Sequence, residues 1–277
     1  MSISAKDVMK LRNATGAGMM DCKKALTEAE GDFEKAVEIL RKKGQQVSEK
    51  RADREANQGL VLIKISDDRS KASAIEINCE TDFVARNEDF QAQGEAFLNA
   101  AFSSEAGTIA DLLKQDVKGL TIEQHLEEMV GKIGEKIEIS KVVYINTSGT
   151  LVEYIHPGNQ LGVIAEFESS IENDDIAKDV AMQIAAMNPL AVTRDGVDAS
   201  IVEKELEIAK EQLINEGKPA EIAEKAAQGK LRRFYEERVL LEQKFVKDNG
   251  VTVKEYLTQN GAPLVRSFHR IQLGESQ

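Results

Sequence analysis

Apolar positions along the 277-residue chain change their period several times, and each change marks a new element. Residues 4–44 carry three short helical stripes: Val8 with Leu11, then Cys22, Ala25, Leu26 and Ala29, then Phe33, Val37 and Leu40 behind an Asp32 N-cap. Gly16-Ala17-Gly18 and Gly31 separate these helices, and Gly44 reads as the final stop. Mixed charge with almost no large apolar side chain follows as far as residue 58, the pattern of a linker with some helical character. Gly59-Leu60-Val61-Leu62-Ile63-Lys64-Ile65 is an apolar strand, turned by Ser66-Asp67-Asp68-Arg69-Ser70. Ile75, Ile77 and Cys79 then alternate with Glu76, Asn78 and Glu80, the period of a half-buried strand. Asn87 before Glu88 and Asp89 predicts a helix start, and Phe90, Phe97, Leu98 and Ala101 give that helix its inward face. The capping box Thr121-Ile122-Glu123-Gln124 opens another helix, with Ile122, Leu126, Met129, Val130 and Ile133 on one side and His125 on the polar side. Gly134 ends it, and Ile137, Ile139, Val143 and Ile145 supply a third strand.

The second half repeats this order. Residues 151–155 and 161–168 read as a hairpin around His156-Pro157-Gly158-Asn159. A helix follows from Asn173 or Asp174, with Ile176, Val180, Ile184 and Met187 inward and Asn188-Pro189 as its stop. Val202, Leu206, Ala209 and Leu213, then Ile222 and Ala226 beyond Gly217-Lys218-Pro219, make the narrow seams of an antiparallel helical hairpin. Leu264, Val265, Phe268, Ile271 and Leu273 form a last strand. Two occurrences of strand, strand, helix, further helix and closing strand predict an α+β fold. It consists of an N-terminal three-helix docking domain (1–45), a linker (46–58) and two duplicated subdomains with antiparallel sheets. The first subdomain spans 59–147; the second spans 148–277 and includes a hairpin projection over about 198–260.

Three positions fall outside these patterns. Phe83 lies on the connection 81–86 between a strand and a helix, between Asp82 and Val84. Spacing alone favours a plug under the loop, with an exposed contact aromatic as the alternative. Met19 and Met20 cannot both face inward with Cys22 and Leu26, so at least one lies near the surface, where methionine either adapts to a partner or fills a gap.

Charge and chemistry narrow the function. The formal net charge of -12, from 48 acidic and 36 basic residues, opposes non-specific binding to nucleic acid or anionic membrane and points to a protein partner. The basic run Lys230-Leu231-Arg232-Arg233 is followed by Glu236 and Glu237 and reads as a solvated helix face. Cys22 and Cys79 both face inward and form no disulfide framework; with no signal-length or membrane-spanning apolar run, a cytoplasmic protein is expected. His125, His156 and His269 lie far apart and none has a metal-ligand spacing, so no metal is expected. There is no phosphate-binding GxxxxGK[ST] loop and no nucleophile paired with a base. The chain offers surfaces rather than a catalytic centre, and no cofactor is called for.

Thr81-Asp82-Phe83-Val84-Ala85-Arg86-Asn87 after a strand, together with Thr15-Gly16-Ala17-Gly18-Met19-Met20-Asp21-Cys22-Lys23-Lys24-Ala25-Leu26, resembles the bacterial translation elongation factor Ts family. The three-helix segment also resembles a ubiquitin-associated module. The family resemblance implies a guanine-nucleotide exchange factor whose partner is elongation factor Tu. It implies that the loop Thr81, Asp82, Phe83, Val84 dislocates the partner's magnesium, with Phe83 as the wedge, and that Arg12, Met19 and Met20 belong to the docking surface. His156, Gly158 and Gly162 would belong to a second-subdomain contact. Longer members carry a further helix after the last strand; only Gly274-Glu275-Ser276-Gln277 follow here, which implies that this contact is missing or replaced. The competing reading is a ubiquitin-associated-type docking or scaffold protein without exchange activity.

Overall fold

The computed structural model describes residues 3–275; Met1, Ser2, Ser276 and Gln277, the ends of the two terminal segments read above, lie outside it. Three helices come first, α1 (Ala5–Thr15), α2 (Met19–Glu28) and α3 (Phe33–Arg51). Ser4 caps α1 in a capping box with Asp7, and Asp32 caps α3. Their core is Val8, Leu11, Cys22, Ala25, Leu26, Ala29 and Ala36.

The first α+β unit then runs β1 (Gln58–Ile65), β2 (Lys71–Cys79), the one-turn α4 (Asp82–Ala85), α5 (Glu88–Ser104) and α6 (Ile109–Leu113). It continues with the short pair β3 (Asp116–Val117) and β4 (Leu120–Thr121), α7 (Ile122–Ile133) and β5 (Ile137–Asn146). The second runs β6 (Thr150–Ile155), β7 (Leu161–Phe167), α8 (Asp174–Met187), the hairpin α9 (Ala199–Asn215) and α10 (Ala220–Arg238), β8 (Lys244–Phe245), β9 (Asp248–Thr252), α11 (Val253–Gln259) and β10 (Val265–Gln272). Each unit has a three-stranded antiparallel sheet with its second strand in the middle, β1-β2-β5 and β6-β7-β10, so the duplicated order is also a duplicated topology.

The two sheets stack face to face. Leu60, Leu62, Ile75, Ile77 and Cys79 point to α5 and α7, while Val61, Ile63, Ala72 and Ala74 on the opposite face meet Leu151, Ile164 and Ile271. Val152, Val163, Ala165 and Phe167 turn to α8. Burial on both faces explains the unbroken apolar run of β1. It also corrects the half-buried reading of β2: Glu76 and Asn78 are 1% and 3% exposed. Glu76 Oε1 accepts from Asn78 Nδ2 at 2.9 Å and from the Gly274 N–H at 2.9 Å, and Lys141 Nζ stands 3.5 Å from Oε2. Outside the contact face, Arg69 from the β1–β2 turn forms a two-pronged ion pair with Asp174 at the start of α8 (2.6 and 2.7 Å).

Five further expectations change, the simplest being Met187, which is read as inward but is exposed at the last residue of α8. Helix α3 does not stop at Gly44 but continues to Arg51, because Gly44 is a packing residue: a Cβ there would lie 2.7 Å from the Glu127 carbonyl oxygen, where α3 crosses α7 at Gly131. His125 faces inward; its Nε2 is 2.7 Å from the Val117 carbonyl oxygen and its ring tilts against Phe97. In α10 the seam is Ala223 and Ala227 against Ala209 and Leu213, with Ala226 packed beside it as read, whereas Ile222 is exposed. The helical projection ends at Arg238 rather than near residue 260; Leu240, Val253 and Leu257 return the chain to the second core. Among the described residues no helix is long and apolar enough to cross a membrane.

Gly44→Ala sets two effects against each other, since alanine gains about 1 kcal/mol of helix propensity over glycine. A methyl forced onto a rigid carbonyl costs roughly 1–3 kcal/mol. The expected outcome is a net loss, read as a lower unfolding midpoint and faster amide exchange along α3; an unchanged or raised midpoint would show that the crossing has room.

Candidate functional site: the capped loop after β2

The loop is held at each end by a helix cap. Cys79, the last residue of β2, is fully buried, and its thiol donates to the Thr81 carbonyl oxygen at 3.2 Å. Burial, reinforced by the negative charge of Glu135, pushes that thiol up to about 12, so it stays protonated and inert. Thr81 is the N-cap of α4, its hydroxyl accepting the Val84 N–H at 3.4 Å. Six residues on, Asn87 caps α5 by accepting from Asp89 and Phe90. Between the caps Val84 and Ala85 pack on the first core. The remaining direction of the turn belongs to Asp82, Phe83 and Arg86, with Asp82 and Arg86 paired at 3.1 Å.

Phe83 is consequently 83% exposed, the most exposed large apolar side chain among the described residues. The core-plug expectation from spacing is therefore overturned: the turn has one inward face, and Val84 and Ala85 already fill it.

Supports for this loop come from distant parts of the chain. Glu135, in the connection between α7 and β5, accepts both the Thr81 N–H (3.0 Å, Oε2) and the Thr81 hydroxyl (2.7 Å, Oε1). Glu80 accepts from Arg51 Nη1 (2.6 Å), Arg54 Nη1 (3.1 Å) and the Lys136 N–H (2.6 Å). Burial raises the Glu80 carboxyl, but these donors together outweigh it and leave it below the ordinary glutamate value. None of these four supporting side chains was picked out from the sequence. Their only local trace is charge beside a strand end or a helix end, which most surface positions share.

The residues expected to dock lie on the adjoining unit. Met19 and Met20 open α2 and are 42% and 63% exposed, so both, and not merely one, face outward. Arg12 is exposed near the end of α1. The turn between these helices reaches the loop through Lys132 of α7. A Cβ on Gly16 would lie 2.7 Å from Lys132 Cε, and Lys132 Nζ is 3.1 Å from Asp89, in the first turn after the Asn87 cap. Lys132 thus connects the α1–α2 turn to the start of α5, the helix that follows the Phe83 loop.

The second-subdomain residues divide. His156 and Gly158 are exposed at the β6–β7 turn, His156 Nδ1 lying 2.9 Å from the Tyr154 hydroxyl. Gly162 is corrected: it is buried inside β7, where a Cβ would stand 2.8 Å from both Val61 Cγ1 and Ile63 Cδ1. It allows the sheets to approach and presents nothing to a partner. Among the described residues, no group of three or more histidine, cysteine or acidic side chains could hold a metal ion.

The "Elongation factor TS" family model matches residues 80–275, beginning at the residue before the loop. Curated relatives extend the likeness through the three-helix unit. The chain is 46% identical over 277 residues to elongation factor Ts of Amoebophilus asiaticus, covering 99% of this chain and 100% of the relative. It is 46% identical over 274 residues to that of Christiangramia forsetii (98% and 99%) and 43% identical over 286 residues to that of Aquifex aeolicus (99% and 99%).

The lowered Glu80 value has a consequence for stability. A carboxyl depressed on folding contributes stability that is complete above its unfolded value and is lost as the pH falls through its folded value. Comparing wild type with Glu80→Gln by urea unfolding, the stability difference should be constant above about pH 5 and shrink as the pH falls below about 4. A pH-independent difference would mean that the three donors do not favour the ionised form.

Proposed function

The chain belongs to the elongation factor Ts family, and on that premise we propose that it promotes GDP release from elongation factor Tu by inserting Phe83 beside the partner's magnesium and phosphate site. The observation that carries the reading is an aromatic ring 83% in water on a loop capped at both ends, where no internal packing accounts for it. Asp82 is its polar companion, and Thr81 and Val84 fix the turn that aims it. Met19, Met20 and Arg12 dock on the partner's nucleotide-binding domain, and His156 and Gly158 form a secondary contact.

The physical basis is linkage. An exchange factor binds the nucleotide-free partner more tightly than the nucleotide-bound one, and it weakens nucleotide affinity by the same factor. A thousandfold weakening requires about 4 kcal/mol of coupling. Truncating a desolvated aromatic anchor commonly costs roughly 2–4 kcal/mol, so one ring can supply a large part. Displacing the magnesium adds to this, because the ion neutralises charge on the phosphates. No group on this chain needs to gain or lose a proton: the work is done by surface contact.

Two substitutions separate insertion from docking in a fluorescent-GDP release assay on elongation factor Tu. Phe83→Ala removes little internal contact; it should melt nearly like wild type and lose most of the acceleration even at saturating concentration. Met20→Ala should instead raise the concentration giving half-maximal acceleration, leaving the maximum nearly unchanged. Full acceleration by Phe83→Ala would sink the wedge reading.

A further inference from the structure

The loop's rigidity rests heavily on one side chain that the family motif does not contain. Glu135 lies 54 residues from Thr81 in sequence, yet its two carboxylate oxygens take both donors that Thr81 possesses, the N–H and the hydroxyl. The hydroxyl has one proton, which it gives to Glu135; its lone pairs then face the Val84 N–H, so the carboxylate also orients the cap of α4. Gly134, at φ +80°, ends α7 one residue earlier and sets where the carboxylate starts. The next residue, Lys136, gives its N–H to Glu80. Residues 80 and 81 are therefore gripped by residues 136 and 135 of a single connection.

From this geometry we propose that Glu135 is a positioning residue for Phe83, acting through Thr81 to hold the ring in the orientation that reaches the partner. The inference rests on the exchange reading above. Removing the carboxylate leaves Thr81 with no protein acceptor and lets the single turn of α4 fray. The ring remains on the surface and the docking helices are untouched. What falls is the fraction of encounters in which the ring is aimed, so the loss should appear in the maximal rate rather than in the half-saturating concentration. Small misplacements of a positioned group can cost up to about a hundredfold.

The test uses the full chain. For Glu135→Ala the expected maximal rate of GDP release from elongation factor Tu is lower by about tenfold, with the half-saturating concentration changed less than about twofold. Glu135→Gln keeps an acceptor for the N–H and should recover part of the rate. The combination Glu135→Ala with Phe83→Ala should be no slower than Phe83→Ala alone, because Glu135 acts only through the ring. A full rate for Glu135→Ala, or a loss that adds to that of Phe83→Ala, overturns the proposal. Amide exchange in the free chain separates this from failure of the exchange reading. Glu135→Ala should speed exchange at the Thr81 and Val84 amides, and unchanged protection there overturns the clamp whatever the wild-type chain does to GDP release.

Discussion

Two three-stranded sheets lie against one another because the residues at their contact are small where backbones approach and branched where volume must be filled. Gly162, Ala72 and Ala74 provide the first, and Val61, Ile63, Leu151, Ile164 and Ile271 the second. Burying a Val, Leu or Ile side chain contributes roughly 1.5–3 kcal/mol, so the cluster is a substantial apolar contact made wholly between the two halves of the duplication. Everything peripheral inherits its position from this plane. It makes β2 a strand enclosed on both faces, and the end of β2 is where the candidate loop begins.

Enclosure carries a cost that the fold offsets with polar pairing. Glu76 and Asn78 enter the interior with β2, and an unpaired carboxylate there would be strongly destabilising. The Gly274 amide and Lys141 answer Glu76, which binds the end of the chain to the first sheet. A parallel arrangement occurs in the second sheet, where Glu166 accepts from Thr147, Ser267 Oγ at 2.6 Å and Arg266 Nη1 at 2.9 Å. Both carboxylates sit on the central strand of their sheet, and both join that strand to segments distant in sequence.

At the loop the balance is reversed. Leaving a phenylalanine in water forgoes burial energy that a core position would have gained, and the chain accepts this in a segment otherwise heavily constrained. Two N-caps within seven residues, an ion pair along the turn and two carboxylate anchors hold the backbone while leaving the ring free. In the proposed exchange role, energy withheld from folding is released when a partner covers the ring. A flexible loop bearing the same phenylalanine would spend part of that energy on ordering itself.

Much of the local architecture could be read from the chain alone. Asp32, Asn87, Thr121 and Asn173 cap helices where the patterns place them, and the repeated order of strands and helices announces the duplication. These features depend on residues within about four positions of each other, which a linear reading sees directly. Only the folded chain decided that Gly44 continues a helix, that Gly162 faces a sheet and not a partner, that His125 points inward, and that Phe83 stays outside the core. The first three of those outcomes are set by groups brought in from tens of residues away, such as the Glu127 carbonyl beneath Gly44, whereas Phe83 is left outside because Val84 and Ala85 fill the inward face of its turn. Periodicity states which residues share a face, whereas the identity of what covers that face is a property of tertiary packing.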